Sequence, residues 1–375
     1  MIDVAAARDL FEDSTDGTVG IEEEFALLDP QDHRLIPVFE RLRDAGLSDD
    51  VLADAIAGEL ISSEIEIRSG RGIDYEDARR RQHEARRRLF GLAAREGVLL
   101  GATGTHPLSD YREQHVIDTP HYHRVEDGLK YVAWRNNTFS LHVHVGVNGA
   151  DRAVRVCDRL RPVLPLLLAV SANSPYVDQM DSGLHSARTQ IFTKSFPRCG
   201  VPDVFGTWQA WADYVELLVR TNSIIEFTQL WWSVRPHHDF GTVEVRVCDA
   251  QTTGPEADAL AQLIVGCVAR AVAEVDAGET PPDLPGRLIE ENMWRALRYG
   301  LDGRLLDLEG PVIEEFPAAE TLDRLKEWSG VDAPLPELNG AQRQRRMIEA
   351  GATPAEVYEV CVRETQETYQ EETVT

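Results

Sequence analysis

Four short segments of this chain alternate apolar and charged residues with a period of two. They are residues 20–25, 64–68, 141–145 and 243–247. Because neighbouring side chains of a β-strand point to opposite faces, this period predicts four strands, each with one apolar and one charged face. The charged faces carry, in order, Glu22, Glu24, Glu64, Glu66, Arg68, His142, His144, Glu244 and Arg246. A sheet built from these strands can bury only its apolar face in a core.

The composition of the charged faces leaves two interpretations. Each strand alone could present an ordinary solvated face to water. Exposed strand faces, however, usually carry Thr, Lys and Ser, and crowded glutamates stay ionised at low cost only where cations neutralise them. The four strands together therefore favour a metal-lined cup. Its carboxylate-rich donors suit Mg²⁺ or Mn²⁺, whereas the pair His142 and His144 keeps Zn²⁺ open as the alternative.

The charge and length of the chain exclude several classes of function. It has 375 residues, of which 38 are basic and 64 are acidic, so the formal net charge is −26. This charge repels nucleic acids and anionic membranes, and we expect neither as a partner. The most apolar stretch, residues 163–170, is too short to span a bilayer. Five cysteines without a CxxC pair favour a reducing, cytoplasmic location.

Three common catalytic motifs are absent from the sequence. It contains no GxxxxGK[ST] phosphate loop, no GxGxxG dinucleotide motif between a strand and a helix, and no GxSxG nucleophile elbow. Any phosphate chemistry must therefore come from metal ions and arginine side chains rather than from a glycine-rich loop.

The remaining periodicity predicts an α+β fold, with an antiparallel β-sheet cup flanked by helices. Strands are expected at residues 18–28, 60–68, 98–102, 138–147, 230–234 and 242–247, and helices at residues 74–96, 151–172 and 208–220. Beyond residue 254 the pattern is mostly helical. No linker separates the two regions, so we expect a single catalytic domain over residues 1–375, with a β-rich functional core at about 17–250 and a helical portion at about 254–375.

Six longer segments carry a family signature. They are residues 18–25 (TVGIEEEF), 104–107 (GTHP), 141–147 (LHVHVGV), 171–175 (SANSP), 230–236 (LWWSVRP) and 241–251 (GTVEVRVCDAQ). In this order they resemble the carboxylate–amine ligase family, the type 2 glutamate–cysteine ligases of the glutamine-synthetase-like superfamily. The resemblance extends over residues 17–300 and implies an antiparallel cup that holds ATP and two or three Mg²⁺ ions.

The resemblance also implies roles for individual residues. The implied sets are Glu22, Glu24, Glu59, Glu66, His142 and Glu244 for metal ions; Glu66, Arg235 and Arg246 for catalysis; Arg235, Arg246 and Trp232 for the nucleotide; and Arg68, His144 and Arg188 for the substrates. For the pair Trp231 and Trp232, stacking on adenine and packing in the core both stay open.

The implied reaction is the ATP-dependent formation of an amide through an acyl phosphate. The resemblance favours glutamate as the carboxylate and cysteine as the amine, and it is compatible with a homodimer. Phe139 and Ser140 stand where the family usually has Cys-Gly, and Arg68 where it has a small residue, which predicts an altered substrate pocket. A ligase that joins another carboxylate to another amine, and a metal-dependent amidohydrolase, stay open as alternatives.

Three other features have simpler interpretations. The arginines of residues 79–81 and 86–88 predict a solvated helix face with intrahelical acidic partners, rather than a nucleic-acid patch. His237 and His238 are expected to be exposed in a hairpin loop between two strands. Cys248 is expected to be a packed thiol, because no histidine is placed to activate it.

Overall fold

The four charged segments are strands of one antiparallel sheet. The computed structural model describes residues 3–279 and 284–370. Its strands, numbered along the chain, are β1 (Val19–Leu28), β2 (Ile56–Ala57), β3 (Glu64–Arg68), β4 (Leu99–Gly101), β5 (Ser140–Gly146), β6 (Tyr176–Val177), β7 (Met180–Asp181), β8 (Cys199–Gly200), β9 (Trp231–Trp232), β10 (Val234–His237), β11 (Thr242–Asp249), β12 (Arg304–Asp307) and β13 (Glu314–Pro317). Seven of them form the central sheet, in the order β10-β11-β5-β1-β3-β2 with β4 beside β1. The expected α+β fold with an antiparallel sheet is confirmed.

Strand register brings the charged residues of neighbouring strands side by side. Glu24 of β1 lies opposite Glu66 of β3. Glu22 lies opposite Arg68 on one side and opposite His142 of β5 on the other. Directly opposed side chains on one face of a sheet are close enough to interact. The register therefore assembles charged groups that are far apart in the sequence.

A β-bulge in β11 changes which of its side chains face the charged side of the sheet. Val245 pairs with Val143 of β5, but the next pair is Cys248 with Leu141, so β11 contains one extra residue. A bulge bends the strand and re-aims its side chains. Arg246 stays on the charged side, whereas Cys248 is turned into the core. The packed thiol expected there is confirmed, and burial raises the pKa of Cys248 to about 12.

Helices surround the sheet. Those of the described residues are α1 (Val4–Glu12), α2 (Phe39–Gly46), α3 (Leu52–Ala55), α4 (Tyr75–Arg95), α5 (Pro120–Leu129), α6 (Tyr131–Trp134), α7 (Ala150–Leu160), α8 (Leu164–Ser171), α9 (Ala187–Ser195), α10 (Trp208–Arg220), α11 (Gly254–Asp276), α12 (Gly286–Tyr299), α13 (Thr321–Ser329), α14 (Gly340–Glu349) and α15 (Pro354–Thr368). The single helix expected at residues 151–172 is instead α7 and α8, joined by a 3₁₀ turn at Arg161–Val163. Pro162 and Pro165 cause the break, because proline cannot donate a backbone hydrogen bond.

The apolar faces of the strands form the core against helices from both halves of the sequence. Ile21, Val143 and Val245 pack with residues of α7, α8 and α11. Ile65 and Ile67 of β3 pack with residues of α4. The last helix, α15, packs against the sheet next to β4. The helical C-terminal portion therefore supports the same sheet that carries the charged face.

Glu23 is the exception among the glutamates of β1, because it points to the helix side of the sheet. Arg86 of α4 donates to its carboxylate at 2.6 and 2.7 Å and to Asp258 of α11 at 2.7 Å. Both Glu23 and Arg86 are buried. The expected solvated face is therefore wrong for Arg86, although it is confirmed for Arg79 and Arg87, each of which pairs with a glutamate three positions earlier.

From the sequence we expect no membrane-spanning segment and cysteines that form no disulfide bonds. Within residues 3–279 and 284–370, none of the helices combines the length and the apolar composition needed to cross a bilayer. The five cysteines all carry free thiols. The cytoplasmic location stays a prediction.

Candidate active site

The charged faces of β1, β3, β5 and β11 line one cavity of about 320 Å³. Chain segments outside the sheet complete its walls, among them Tyr122 of α5 and Trp231 of β9. The six expected metal ligands all line this cavity: Glu22, Glu24, Glu59, Glu66, His142 and Glu244. Five of them lie on strands of fixed register, while Glu59 comes from the segment between β2 and β3.

The six expected ligands of the cavity and His144, which lies buried beside it, form three overlapping groups, which we call the donor groups. In each donor group, ligand atoms of three residues lie within 4.8 Å of one another. The donor groups are Glu24, Glu59 and Glu66; Glu22, Glu66 and His142; and Glu22, His144 and Glu244. Because Glu22 and Glu66 each belong to two groups, ions bound there would share ligands. The arrangement unites the six expected ligands and adds His144, for which a substrate contact was expected.

The donor groups fit hard divalent cations. One group consists of carboxylates only, and the other two combine two carboxylates with one imidazole. The Nε2 atom of His144 is buried, has no hydrogen-bond partner in the described part of the chain, and lies 3.4 Å from Glu22 Oε2. The other ring nitrogen is hydrogen-bonded to Thr242 Oγ1 at 3.0 Å. A cation would satisfy this unpartnered nitrogen and its neighbouring carboxylates together.

Charge crowding shifts the pKa values of the carboxyl groups in opposite directions. Burial and a neighbouring carboxylate raise the pKa of Glu59 to about 7, and raise the pKa of Glu66 well above its usual value. Burial would do the same for Glu244, but the guanidinium groups of Arg235 and Arg246 hold its pKa well below the usual range. The cavity therefore contains more carboxylates than its own arginines neutralise, and cations would relieve that excess.

Two arginines share the carboxylate of Glu244 but differ in their other contacts. Arg235 donates to Glu244 Oε2 at 2.5 Å and to the backbone carbonyls of Leu230 and Thr228 at 2.6 and 3.2 Å. Arg246 also donates to Glu244, but its buried Nε has no hydrogen-bond partner among the residues that the structure describes. Arg235 therefore orients Glu244, whereas Arg246 keeps a donor for an anionic ligand.

The other two expected arginines lie at different depths. Arg68 donates to Glu66 Oε1 at 2.5 Å, and 41% of its side chain is exposed, so its terminal nitrogens are accessible to a ligand. Arg188 is buried and donates to the backbone carbonyls of Arg246 and Val247 at 3.1 and 3.2 Å. Arg188 lines the cavity, but its hydrogen bonds support the bulge of β11.

The structure corrects the expectation for Trp232. Trp231 lines the cavity, whereas Trp232 is buried in the core, with its ring centroid 5.5 Å from Phe205 and 5.9 Å from Tyr214. The sequence contained a signal for this difference. Arg235 faces the cavity, and a period of two assigns Trp231, not Trp232, to the same face.

The hairpin between β10 and β11 is less exposed than expected. His237 is buried, and its ring stacks on that of Phe240 with centroids 4.5 Å apart. His144 packs edge-on against His237 at 5.2 Å. The exposed position expected for His237 is therefore wrong, whereas His238 is partly exposed. The hairpin closes one side of the cavity.

Ser140 and Glu64 line the cavity as well. The charged strand pattern placed Glu64 on this face without an individual role, and Ser140 was not expected to contact the ligands. Ser140 donates its hydroxyl to Glu24 Oε2 at 2.6 Å, and the same hydroxyl lies 2.8 Å from His142 Nε2. It thereby orients two of the expected metal ligands. Strand parity was the available signal, because Ser140 lies two residues before His142, and Glu64 two residues before Glu66.

Comparisons with known proteins agree with this geometry. The family model described as glutamate–cysteine ligase family 2 matches residues 18–373. The chain belongs to this family of ligases. A Rubrobacter xylanophilus protein, whose name assigns it provisionally to glutamate–cysteine ligase 2, is 40% identical over 83% of this chain and 79% of its own length. A glutamate–cysteine ligase of Natronomonas pharaonis is 34% identical over 89% of this chain and 92% of its own length.

Two solved structures share the fold of this member of glutamate–cysteine ligase family 2. The glutamate–cysteine ligase of Francisella tularensis, in complex with AMP, has a TM-score of 0.70 and 10% identity over 96% of this chain and 90% of that chain. The bifunctional glutathione synthetase of Pasteurella multocida has a TM-score of 0.67 and 13% identity. That match covers 96% of this chain but 53% of the other, so the chain spans about half of its length. The family expected from the six segments, and its fold, are confirmed.

Proposed function

We propose that this chain is an ATP-dependent carboxylate–amine ligase that joins glutamate to cysteine. The observation that carries the proposal is a single cavity that combines three donor groups with Arg246, whose Nε has no partner among the described residues. Family membership supports the reaction class, and the name of the Natronomonas pharaonis relative supports the substrates. The AMP bound to the Francisella tularensis enzyme supports an adenine nucleotide.

The reaction would proceed in two steps. In the first, a carboxylate oxygen of glutamate attacks the γ-phosphorus of ATP, the bond from that phosphorus to the bridging oxygen breaks, and ADP leaves. In the second, the amine nitrogen of cysteine attacks the carbonyl carbon of the acyl phosphate. The carbon–oxygen bond to phosphate breaks and the nitrogen loses a proton. The products are the amide, ADP and inorganic phosphate.

The side chains of the cavity have distinct parts in this scheme. The donor groups would hold Mg²⁺ or Mn²⁺, which neutralises phosphate charge and aligns the reactants. Ser140 fixes Glu24, and Arg235 fixes Glu244, so that the ligands are oriented before substrate binds. Arg246 would donate to the transferring phosphoryl group, for which a planar, permanently charged group is suited.

The substrate side of the cavity suggests further contacts. Arg68 has accessible donors and is our candidate for binding a substrate carboxylate. Trp231 lines the cavity and replaces Trp232 as the candidate for stacking on adenine. Arg68 also places a charge where the family usually has a small residue. A ligase that joins another carboxylate to another amine is therefore the second candidate function.

An ADP-release assay tests the proposal. The chain is incubated with ATP, Mg²⁺, glutamate and a panel of amines that includes cysteine, and the product is identified by its mass. We expect ADP release that requires both glutamate and an amine and that stops when a chelator is added. Activity with Zn²⁺ alone and without ATP would instead identify an amidohydrolase.

Two variants connect this activity to the cavity. Glu66→Gln removes a ligand shared by two donor groups, and Arg246→Ala removes the proposed phosphoryl contact. We expect each to lower kcat by about 100-fold or more, the effect of losing one positioned group that stabilises charge. Glu216→Gln and Arg220→Ala, at exposed positions of α10, are matched controls that should keep full activity. Full activity of either cavity variant would contradict the assignment.

A further inference from the structure

Glu64 is a buried carboxylate of the cavity that belongs to none of the donor groups. It is the first residue of β3, lies opposite Ala26 of β1, and lines the cavity with 1% of its surface exposed. Its Oε2 atom has no hydrogen-bond partner in the part of the chain that the structure describes. Burying a carboxyl oxygen without a hydrogen-bond partner is costly, whether or not the group is ionised. A ligand from outside the chain can supply the missing partner.

The neighbours of Glu64 explain why the chain itself provides no counter-ion. Ala26, directly across on β1, has no polar side-chain atom. The next positions on the same face are Glu24 of β1 and Glu66 of β3, which are acids. Arg68 lies one step beyond Glu66 and donates its Nε to the Glu66 carboxylate. The side chain of Glu64 therefore lies at an acidic end of the cavity, where the ligand must bring positive charge.

Glu64 also stands apart from the places suited to metal ions. The donor atoms of Glu24, Glu59 and Glu66 lie within 4.8 Å of one another, and no such group among the described residues includes Glu64. An ammonium group fits a single carboxylate better, because it carries three N–H donors and forms short, charge-assisted hydrogen bonds.

The cavity wall suits a small amino acid. Leu60 and Tyr122 contribute apolar surface, and Asn136 and Thr138 contribute polar atoms. We propose that Glu64 binds a protonated amino group of a substrate. This inference rests on the proposed function, in which glutamate and cysteine each carry such a group. The amino group belongs either to the substrate whose carboxylate is activated or to the amine before it loses its proton, and paired ligands separate the two.

Equilibrium binding with paired ligands tests the proposal. Calorimetry in the presence of Mg²⁺ and a non-hydrolysable ATP analogue compares glutamate with glutarate, and cysteine with 3-mercaptopropionate. The second member of each pair lacks only the amino group. In one of the two pairs, we expect the unmodified chain to bind the amino acid about 10- to 100-fold more tightly than its analogue without the amino group. The reason is that the analogue would leave the Glu64 carboxylate without a hydrogen-bond partner. We call this quotient of the two dissociation constants the ratio. Glu64→Gln, which keeps the shape but not the charge, should reduce this ratio about tenfold or more.

Two further variants complete the design. Glu64→Asp keeps the charge on a shorter side chain, so its preference for the amino acid over the analogue should be intermediate between those of the unmodified chain and Glu64→Gln. Glu40→Gln removes a carboxylate that accepts from Ser62 outside the cavity, and it should retain the whole ratio. A ratio that Glu64→Gln leaves unchanged for both pairs would overturn the proposal. If Glu64→Gln raised the Mg²⁺ concentration for half-saturation as much as Glu66→Gln does, this would overturn the proposal too, because Glu64 would then be a metal ligand.

The binding measurement does not depend on catalysis, so the two proposals can fail separately. If the chain shows the expected ratio but forms no ADP with any amine tested, the ligase proposal fails and the role of Glu64 stands. If the chain is an active ligase and Glu64→Gln keeps the ratio, the function stands and the role of Glu64 is wrong. Absence of binding by both amino acids to the unmodified chain overturns the role of Glu64.

Discussion

At the scale of single residues, Arg235 and Arg246 show how two identical side chains on one carboxylate can have different tasks. Arg235 uses its guanidinium nitrogens on Glu244 and on the backbone carbonyl of Leu230, both buried contacts, and on the partly buried carbonyl of Thr228. Its removal would take this donor from the carbonyls of Leu230 and Thr228 and leave Glu244 paired with Arg246 alone. Arg246 is not needed to keep Glu244 paired, because Arg235 remains. The sequence suggested a catalytic role for both arginines. It could not separate them, because only the folded chain shows which guanidinium nitrogens already donate hydrogen bonds.

We therefore expect the two alanine variants to separate stability from activity. Arg235→Ala should lower the free energy of unfolding by about 3–5 kcal/mol, the usual effect of breaking a buried ion pair. Arg246→Ala should lower it by only about 1 kcal/mol, the order of one net hydrogen bond, while kcat falls strongly. Urea unfolding followed by circular dichroism measures the first quantity, and ADP release measures the second.

Arg235→Lys is the conservative control for this comparison. It keeps the charge but loses the planar fork that reaches a carboxylate and a carbonyl together, so it should be intermediate in stability. If Arg235→Ala proved as stable as the unmodified chain and lost only activity, Arg235 would be a ligand-binding residue, as the sequence suggested.

At the scale of elements, a period of two was sufficient to sort the faces of β1, β3 and β5. Regular strand geometry fixes the alternation, so sequence alone placed Glu22, Glu66 and His142 on one face. The period fails within β11, because the bulge after Val245 inserts a residue that pairing geometry, not sequence, determines. The period of two also cannot predict the hydrogen bonds from Arg86 of α4 to Glu23, because the two residues are far apart in the sequence.

Residues 171–175, one of the six segments that resemble the family, support the end of β11. Asp249, at the end of β11, accepts hydrogen bonds from the hydroxyls of Ser174 and Ser186 at 2.6 and 2.8 Å, and from the backbone N–H of Asn173 at 2.8 Å. Asp249 is fully buried. Residues 171–175 therefore fix the end of the strand that carries Glu244, and a resemblance by itself does not distinguish such support from ligand contact.

The short strand β9 offers a matched pair of substitutions. Trp232→Ala removes a core ring and should lower the free energy of unfolding by about 3–5 kcal/mol. Trp231→Ala removes a partly exposed ring that contacts Phe196, and we expect a stability change of about 1 kcal/mol. If Trp231 stacks on adenine, its loss should raise KM for ATP by about tenfold.

Chemical unfolding and ATP saturation curves of both variants decide between the two tryptophans. A KM for ATP that rises in Trp232→Ala, while Trp231→Ala leaves it unchanged, would restore the assignment first made from the sequence.

At the scale of the whole molecule, the cavity depends on segments that have no periodic signal. The expected ligands could be placed because they lie on regular strands or, for Glu59, in a stretch that resembles the family. Tyr122 of α5 and Phe192 of α9 line the same cavity, yet nothing in their local sequence indicates it. Their position follows from how helices pack around the sheet, which involves contacts between distant parts of the chain.

The excess of carboxylates in the cavity links the stability of the whole molecule to pH. Glu59 has a pKa of about 7 in the folded chain, against 4.5 for an ordinary glutamate, and the pKa values of Glu64 and Glu66 are raised in the same direction. The folded chain therefore binds protons that the unfolded chain has released, so this stabilisation is present below pH 4.5 and is lost as the pH rises through about 7. Glu22 and Glu244, whose pKa values are lowered, are ionised in both the folded and the unfolded chain between pH 6 and pH 8 and add no slope there.

Buried histidines with lowered pKa values, among them His106 and His237, add stability as the pH rises through about 6.5, so the carboxylate effect is measured as a difference between variants. In a chelator, we expect the Tm of the unmodified chain to fall more, or rise less, between pH 6 and pH 8 than the Tm of Glu59→Gln. The contribution of Glu59 should be on the order of 1–2 kcal/mol, because water reaches this partly exposed side chain. Mg²⁺ should raise Tm more at pH 8 than at pH 6, since it binds the ionised carboxylates and stabilises only the folded chain. Glu59→Gln should also weaken the response to Mg²⁺, whereas Glu216→Gln should change neither the pH dependence of Tm nor this response. If the unmodified chain and Glu59→Gln showed the same change of Tm between pH 6 and pH 8 in the chelator, the arginines of the cavity would already balance its carboxylates, and no cation would be needed there.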